Sequence, residues 1–122
     1  MAKNTGTNPP EESHLIKSRA EAEEKLDTRI KEGEALETEQ ITSRQQLDAA
    51  QERYSTWTSY NRTLLKKLFS GDEVQREYNG SGFGIFSLSP TSLTEDIREH
   101  IKDVHEKVLR LKTIRSKVEL YE

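Results

Sequence analysis

One stretch, Leu47 to Phe69, dictates most of what this chain can become. Within it Leu47, Ala50, Tyr54, Trp57, Asn61, Leu64 and Leu68 recur at alternating steps of three and four, the spacing that lines up one face of an α-helix. That face holds the single Trp of the chain and must be covered by other helices. Aromatic side chains bury more area than aliphatic ones, so Trp57 is the expected centre of the core. Asn61 is the polar exception in the row; such a residue fixes register or partner number in a seam, or else turns to the edge and is solvated.

Composition decides what kind of cover is available. The 122 residues suffice for one domain, and 31% hydrophobic against 34% charged residues is too lean for a thick globular core. Long helices sharing a thin seam fit that balance. A net charge of −3 argues against a nucleic-acid binder, which needs a Lys/Arg excess on one surface. The absence of cysteine removes disulfides, thiolate catalysis and Cys-ligated zinc, and suits a reducing compartment. No segment has the apolar run of a signal peptide or a membrane span. The expectation is a soluble, cytoplasmic protein.

Residues 1–8 are small and polar and read as a disordered leader, and residues 9–122 as one helical domain. Asn8-Pro9-Pro10-Glu11 has the form of a helix start, predicting a first helix over roughly 9–40 with Leu15, Ala22, Leu26, Ile30, Gly33 and Leu36 on its stripe. Gly33 in that row costs about 1 kcal/mol relative to Ala unless another helix packs close against it, so it marks a close approach. Thr42 and Ser43 each precede a Gln by three residues, as in a capping box. A bend there is expected, because a continuous rod to Phe69 leaves both stripes without a local partner. The second helix then covers 43–69, and Ser70-Gly71 stops it. A short helix follows over 72–78, with Val74 and Tyr78 able to dock on the core.

Ser92 and Glu95 open the last helix, over 92–122. Its stripe is Leu93, Ile97, Ile101, Val104, Val108, Leu111, Ile114, Val118 and Tyr121, with Asp103–Lys107 and Glu106–Arg110 as outer-face pairs in the favourable order. No Gly, Asn or Pro follows Leu120, so the reading is a helix that continues toward another domain. The fold class is therefore all-α: an elongated antiparallel bundle, or coiled coil, of three main helices and one short one.

The search for chemistry yields little. Asn79-Gly80-Ser81-Gly82-Phe83-Gly84 is rich in glycine, but a phosphate loop also needs a following Lys-Ser/Thr and a preceding strand. Phe83, Ile85 and Phe86 are expected to fold back on the bundle, with contact to a protein partner as the alternative. His100 and His105 stand five apart on different helix faces, unlike the i, i+4 pair of helical zinc sites. The carboxylates follow helix-surface patterns, and Ser and Thr lack a neighbouring base. Tyr54, Trp57 and Tyr60 have the spacing of a core cluster rather than a ring-binding site. No catalytic, cofactor or metal residues are assigned.

Four landmark runs, Leu26 to Glu34, Tyr54 to Phe69, Glu73 to Tyr78 and Leu111 to Leu120, resemble the helical N-terminal region that precedes a TIR-like, nucleotide-binding effector domain in bacterial proteins linked to phage defence. The resemblance implies a non-catalytic module that positions or clusters a C-terminal effector. None of the effector's own residues maps onto this chain. The leading functional expectation is helix-mediated self-association, a dimer through the first and last stripes with Leu111, Ile114, Val118 and Tyr121 exposed for it. The alternative is a free-standing adaptor or antitoxin-like binder of a different protein.

Overall fold

A computed structural model describes residues 12–80 and 92–122. Among these residues four α-helices form an all-helical bundle: α1 (Arg19–Glu37), α2 (Arg44–Leu68), the short α3 (Glu73–Asn79) and α4 (Leu93–Ser116), followed by a 3-10 turn at Val118–Tyr121. Among the described residues the only β-type pairing is an isolated antiparallel bridge between Leu15 and Phe69. The leader and Phe83, Ile85 and Phe86 lie outside the described residues.

The hairpin between the first two long helices is present, and side chains make its corner. Thr38 ends α1, its N–H bonding the carbonyl of Glu34 and its hydroxyl reaching the same oxygen at 3.1 Å. Ser43 caps α2 by accepting from the Gln46 N–H at 3.1 Å. The Gln46 side chain reaches back to Thr42 rather than to Ser43, accepting from its N–H at 2.7 Å, so the reciprocal half of the capping box is displaced by one residue. Ser92 caps α4 through the Glu95 N–H at 3.2 Å.

Pairing along the helices sets their directions. Trp57 of α2 meets Arg29 of α1, and Arg53 meets Glu39 just beyond it, so α1 and α2 run antiparallel. Glu37 pairs with His105, Glu34 with Lys112, and Asp27 with Arg115, making α4 antiparallel to α1 as well. The starts of α2 and α4 lie together, joined by Arg44 and Asp96 at 2.8 Å. Gly33 is a point where the three long helices meet. A Cβ placed there would lie 2.6 Å from Val108 Cγ2 and 2.9 Å from Trp57 Cη2, so the missing methyl makes room for the tryptophan.

Three sequence expectations give way here. Helix α1 begins at Arg19, not near residue 9, because Ser18 supplies its cap and residues 13–16 are held extended across the end of α2. At the other end, α4 stops at Ser116 and tightens into the 3-10 turn, where the Lys117 N–H bonds the carbonyl of Ile114 at 3.1 Å. Finally, Leu111, Ile114, Val118 and Tyr121 are all buried inside the chain. Ala22, Leu26, Phe69 and Val74 belong to the same core cluster, so the stripe expected to form a dimer seam is already covered.

Candidate interaction surfaces

The structure buries Leu47, Trp57, Asn61, Leu64, Leu68, Val104, Val108, Leu111, Ile114 and Val118, and leaves Tyr54 and Ile101 half-buried. His100 takes the buried position that the periodicity assigned to Ile101. These residues therefore make the core rather than a site. Asn61 is fully buried and satisfied: its Oδ1 accepts from Arg29 Nε at 2.7 Å, and its Nδ2 donates to the Tyr78 hydroxyl at 3.0 Å. That hydroxyl shares a 2.7 Å hydrogen bond with Thr58 Oγ1. A buried polar group with every partner present specifies one arrangement of helices. Here it locks α1, α2 and α3 together, and burial pushes the Tyr78 phenol above its ordinary pKa of 10.0.

Lys107 and Arg110 do not sit in outer-face pairs. Lys107 Nζ donates to the carbonyls of Tyr78 and Asn79 at 2.9 and 3.3 Å, and Arg110 Nη1 to that of Tyr78 at 3.1 Å. Cations at a helix C-terminus satisfy its unpaired carbonyls and its dipole. Gly80 belongs to this arrangement, since at φ 73° any Cβ would overlap the Arg110 guanidinium. Burial, with Arg110 and Arg62 nearby, lowers the Lys107 pKa to about 8, so the ammonium keeps its proton and all three donors at pH 7.

Two of the concave surfaces among the described residues border exposed apolar side chains. The first, of about 660 Å³, runs between α1 and α2 along Leu36, Trp57, Tyr60, Arg29, Glu52 and Arg53. Tyr60 splits from its neighbours: Trp57 turns inward, donating its indole N–H to the Arg29 carbonyl at 3.0 Å, whereas Tyr60 is 57% exposed with the Arg29 guanidinium 4.2 Å above its ring. The same guanidinium pairs with Glu32 at 2.6 Å. Sequence reasoning passed over Arg29; the signal was a seam asparagine that required a charged or polar partner on the facing helix.

The second surface, of about 800 Å³, lies at the far end of the bundle, beside Ser13, His14, Glu73, Arg76, Lys117 and Leu120. An extended strap, residues 13–16, forms one wall. Ser13 is buried, accepts the Val74 N–H at 3.2 Å through its hydroxyl, and donates its own N–H to the Glu73 carboxylate at 3.2 Å. The exchange does the work of a capping box, with a serine supplied from 60 residues earlier in the chain. Asp72, the local candidate, makes no such bond. Two large apolar side chains stand exposed at this end, Ile16 at 56% and Leu120 at 73%.

Among the described residues no group of His, Asp and Glu is arranged to hold a metal ion, and no helix is long and apolar enough to cross a membrane. Compared with known protein families, curated proteins and solved structures, the chain matches none.

Proposed function

We propose that this chain is a non-catalytic helical module that self-associates, most simply as a two-fold dimer, and thereby positions or clusters an effector domain in the cytoplasm, in line with the resemblance to helical regions of anti-phage proteins. Two groups whose pKa burial shifts, Tyr78 and Lys107, support a structural rather than chemical use. Tyr78 ties three helices together and Lys107 caps α3. The acidic balance of the chain favours a protein partner over nucleic acid.

The observation that carries the reading is the exposure of both Ile16 and Leu120 at the strap end of the bundle. Single exposed apolar residues are ordinary, but here the two most exposed aliphatic side chains among the described residues each stand next in sequence to one partner of the Leu15–Tyr121 hydrogen bond, and a symmetric contact lets each copy cover the other's. Sedimentation equilibrium tests it: the unaltered chain is expected to dimerise at micromolar concentration, and Ile16→Ser with Leu120→Ser to sediment as a helical monomer. A monomeric unaltered chain at high micromolar concentration overturns the reading.

The adaptor reading rests on a different observation, the exposed Tyr60 under the Arg29 guanidinium. Tyr, Trp and Arg dominate the energetics of protein interfaces, and the α1–α2 groove has the form that accepts a helix from another protein. Its test is Tyr60→Glu, which is expected to abolish capture of such a partner while leaving the dimer intact.

A further inference from the structure

The hydrogen bonds of the strap all lead away from the helix that follows it. Besides the Ser13 exchange with α3, the His14 N–H donates to Ser70 Oγ at 3.0 Å and the Ser70 N–H to the His14 carbonyl at 2.8 Å. The Leu15 N–H donates to the carbonyl of Tyr121 at 2.7 Å, and the Ile16 N–H to that of Leu68 at 2.8 Å. Leu15 packs on the core beside Phe69 and Tyr121, whose rings meet edge to face at 5.3 Å. The partners on α2, α3 and the loop between them lie 52 to 61 residues further along the chain, and none among the described residues is on α1.

Helix α1, in turn, does not need the strap for its start. Ser18 caps it by accepting from the Glu21 N–H at 3.1 Å, and Lys17 and Ser18, both exposed, form the whole connection. The strap is thus a docked extended segment on a two-residue hinge, and its seat is a short edge that receives a strand by β-addition.

We infer that the seat is filled reciprocally by the strap of a second copy of this chain, so that the dimer forms by exchange of residues 13–16. Every bond made within one chain is made equally between two, so exchange leaves the strap contacts unchanged and concentration governs the balance. The exposed two-residue hinge lets the strap leave one seat for another without disturbing the Ser18 cap of α1. Exchange also brings the two hinges together, and with them the exposed Ile16 that adjoins each. This inference rests on the self-association reading and names its mechanism.

Because the chain has no cysteine, single cysteines report the exchange directly. His14 and Ser70 face each other across the bridge, next to the Leu15–Phe69 pair. Full-length His14→Cys and Ser70→Cys proteins, mixed at high micromolar concentration in a glutathione buffer, are expected to form the mixed disulfide several-fold more than His14→Cys mixed with Ser55→Cys, an exposed position on α2. A chain carrying both His14→Cys and Ser70→Cys, held dilute, should close within itself. Equal yields for the two mixtures overturn the exchange, as does failure of the double variant to close. A sedimenting dimer without the preferred disulfide removes only the exchange, whereas a monomer removes the self-association reading too. Amide exchange in the unaltered chain is an independent check: Leu15, Ile16, Ser70 and Val74 should open together and faster than Trp57, and protection equal to that of Trp57 overturns a detachable strap.

Discussion

At the scale of single residues, Gly33 and Trp57 form one unit. Trp57→Ala removes the largest side chain at the three-helix contact and is expected to cost about 3–5 kcal/mol in urea unfolding. Gly33→Ala gains about 1 kcal/mol of helix propensity but drives a methyl into Trp57 and Val108, and overpacking costs about 1–3 kcal/mol. The net expectation is a lower urea midpoint. His100 is a second such residue, 4% exposed, edge-on to Tyr54 at 5.9 Å, with Nε2 lacking a partner. Burial holds its pKa below the ordinary 6.5, against the opposing pull of Asp103 and Glu39 and with Arg53 adding to the lowering. The unfolded chain therefore takes up the proton first as pH falls through about 6.5, and stability present above that pH is lost below it. Asp103, whose carboxyl burial raises above 3.8, contributes in the opposite sense, but only at lower pH. Melting curves from pH 8 to 5 should show the loss for the unaltered chain and a flatter profile for His100→Phe, which keeps a ring on Tyr54.

At the scale of elements, α3 is the instructive case. Seven residues are too few to hold a helix in water, and this one is fastened from three sides: Ser13 at its start, Lys107 and Arg110 at its end, and Asn61 and Thr58 at Tyr78. Ser13→Ala removes the cap on the Val74 N–H and is expected to cost about 1 kcal/mol, accompanied by faster amide exchange at Val74 and little change in α1. Protection of Val74 unchanged by this substitution would show that α3 does not depend on the strap. The elements legible beforehand were those capped by neighbours in sequence, such as α2 and α4 with Ser43 and Ser92. The start of α1 was misplaced because Asn8-Pro9-Pro10 carries a start signal as good as that of Ser18, and nothing local shows that Leu15 pairs with Phe69 instead of extending the helical stripe.

For the whole molecule, the consequence of the buried C-terminal seam is a change in what its disruption does. Leu111→Asp with Val118→Asp places two carboxylates among Leu26, Phe69 and Val74, where an unpaired charge is strongly destabilising. Circular dichroism is expected to show loss of the helical fold rather than a folded monomer. A double variant that stays helical at the unaltered melting temperature would return that face to the list of interfaces. We propose association instead at the strap end and, for a foreign partner, at the α1–α2 groove.

The sequence by itself determined an all-helical bundle, the corner near residues 40–43, the apolar stripes and the close approach at Gly33, because helical periodicity, caps and a glycine in a seam are local properties of neighbouring residues. Only the tertiary structure decided that Asn61 is satisfied by Arg29 and Tyr78, that Lys107 and Arg110 serve α3, that His100 replaces Ile101 in the seam, and that a strap from one end of the chain caps a helix some 60 residues away. Each of these is a pairing between residues far apart in the chain, and periodicity can show that a side chain faces inward without showing which group it meets there.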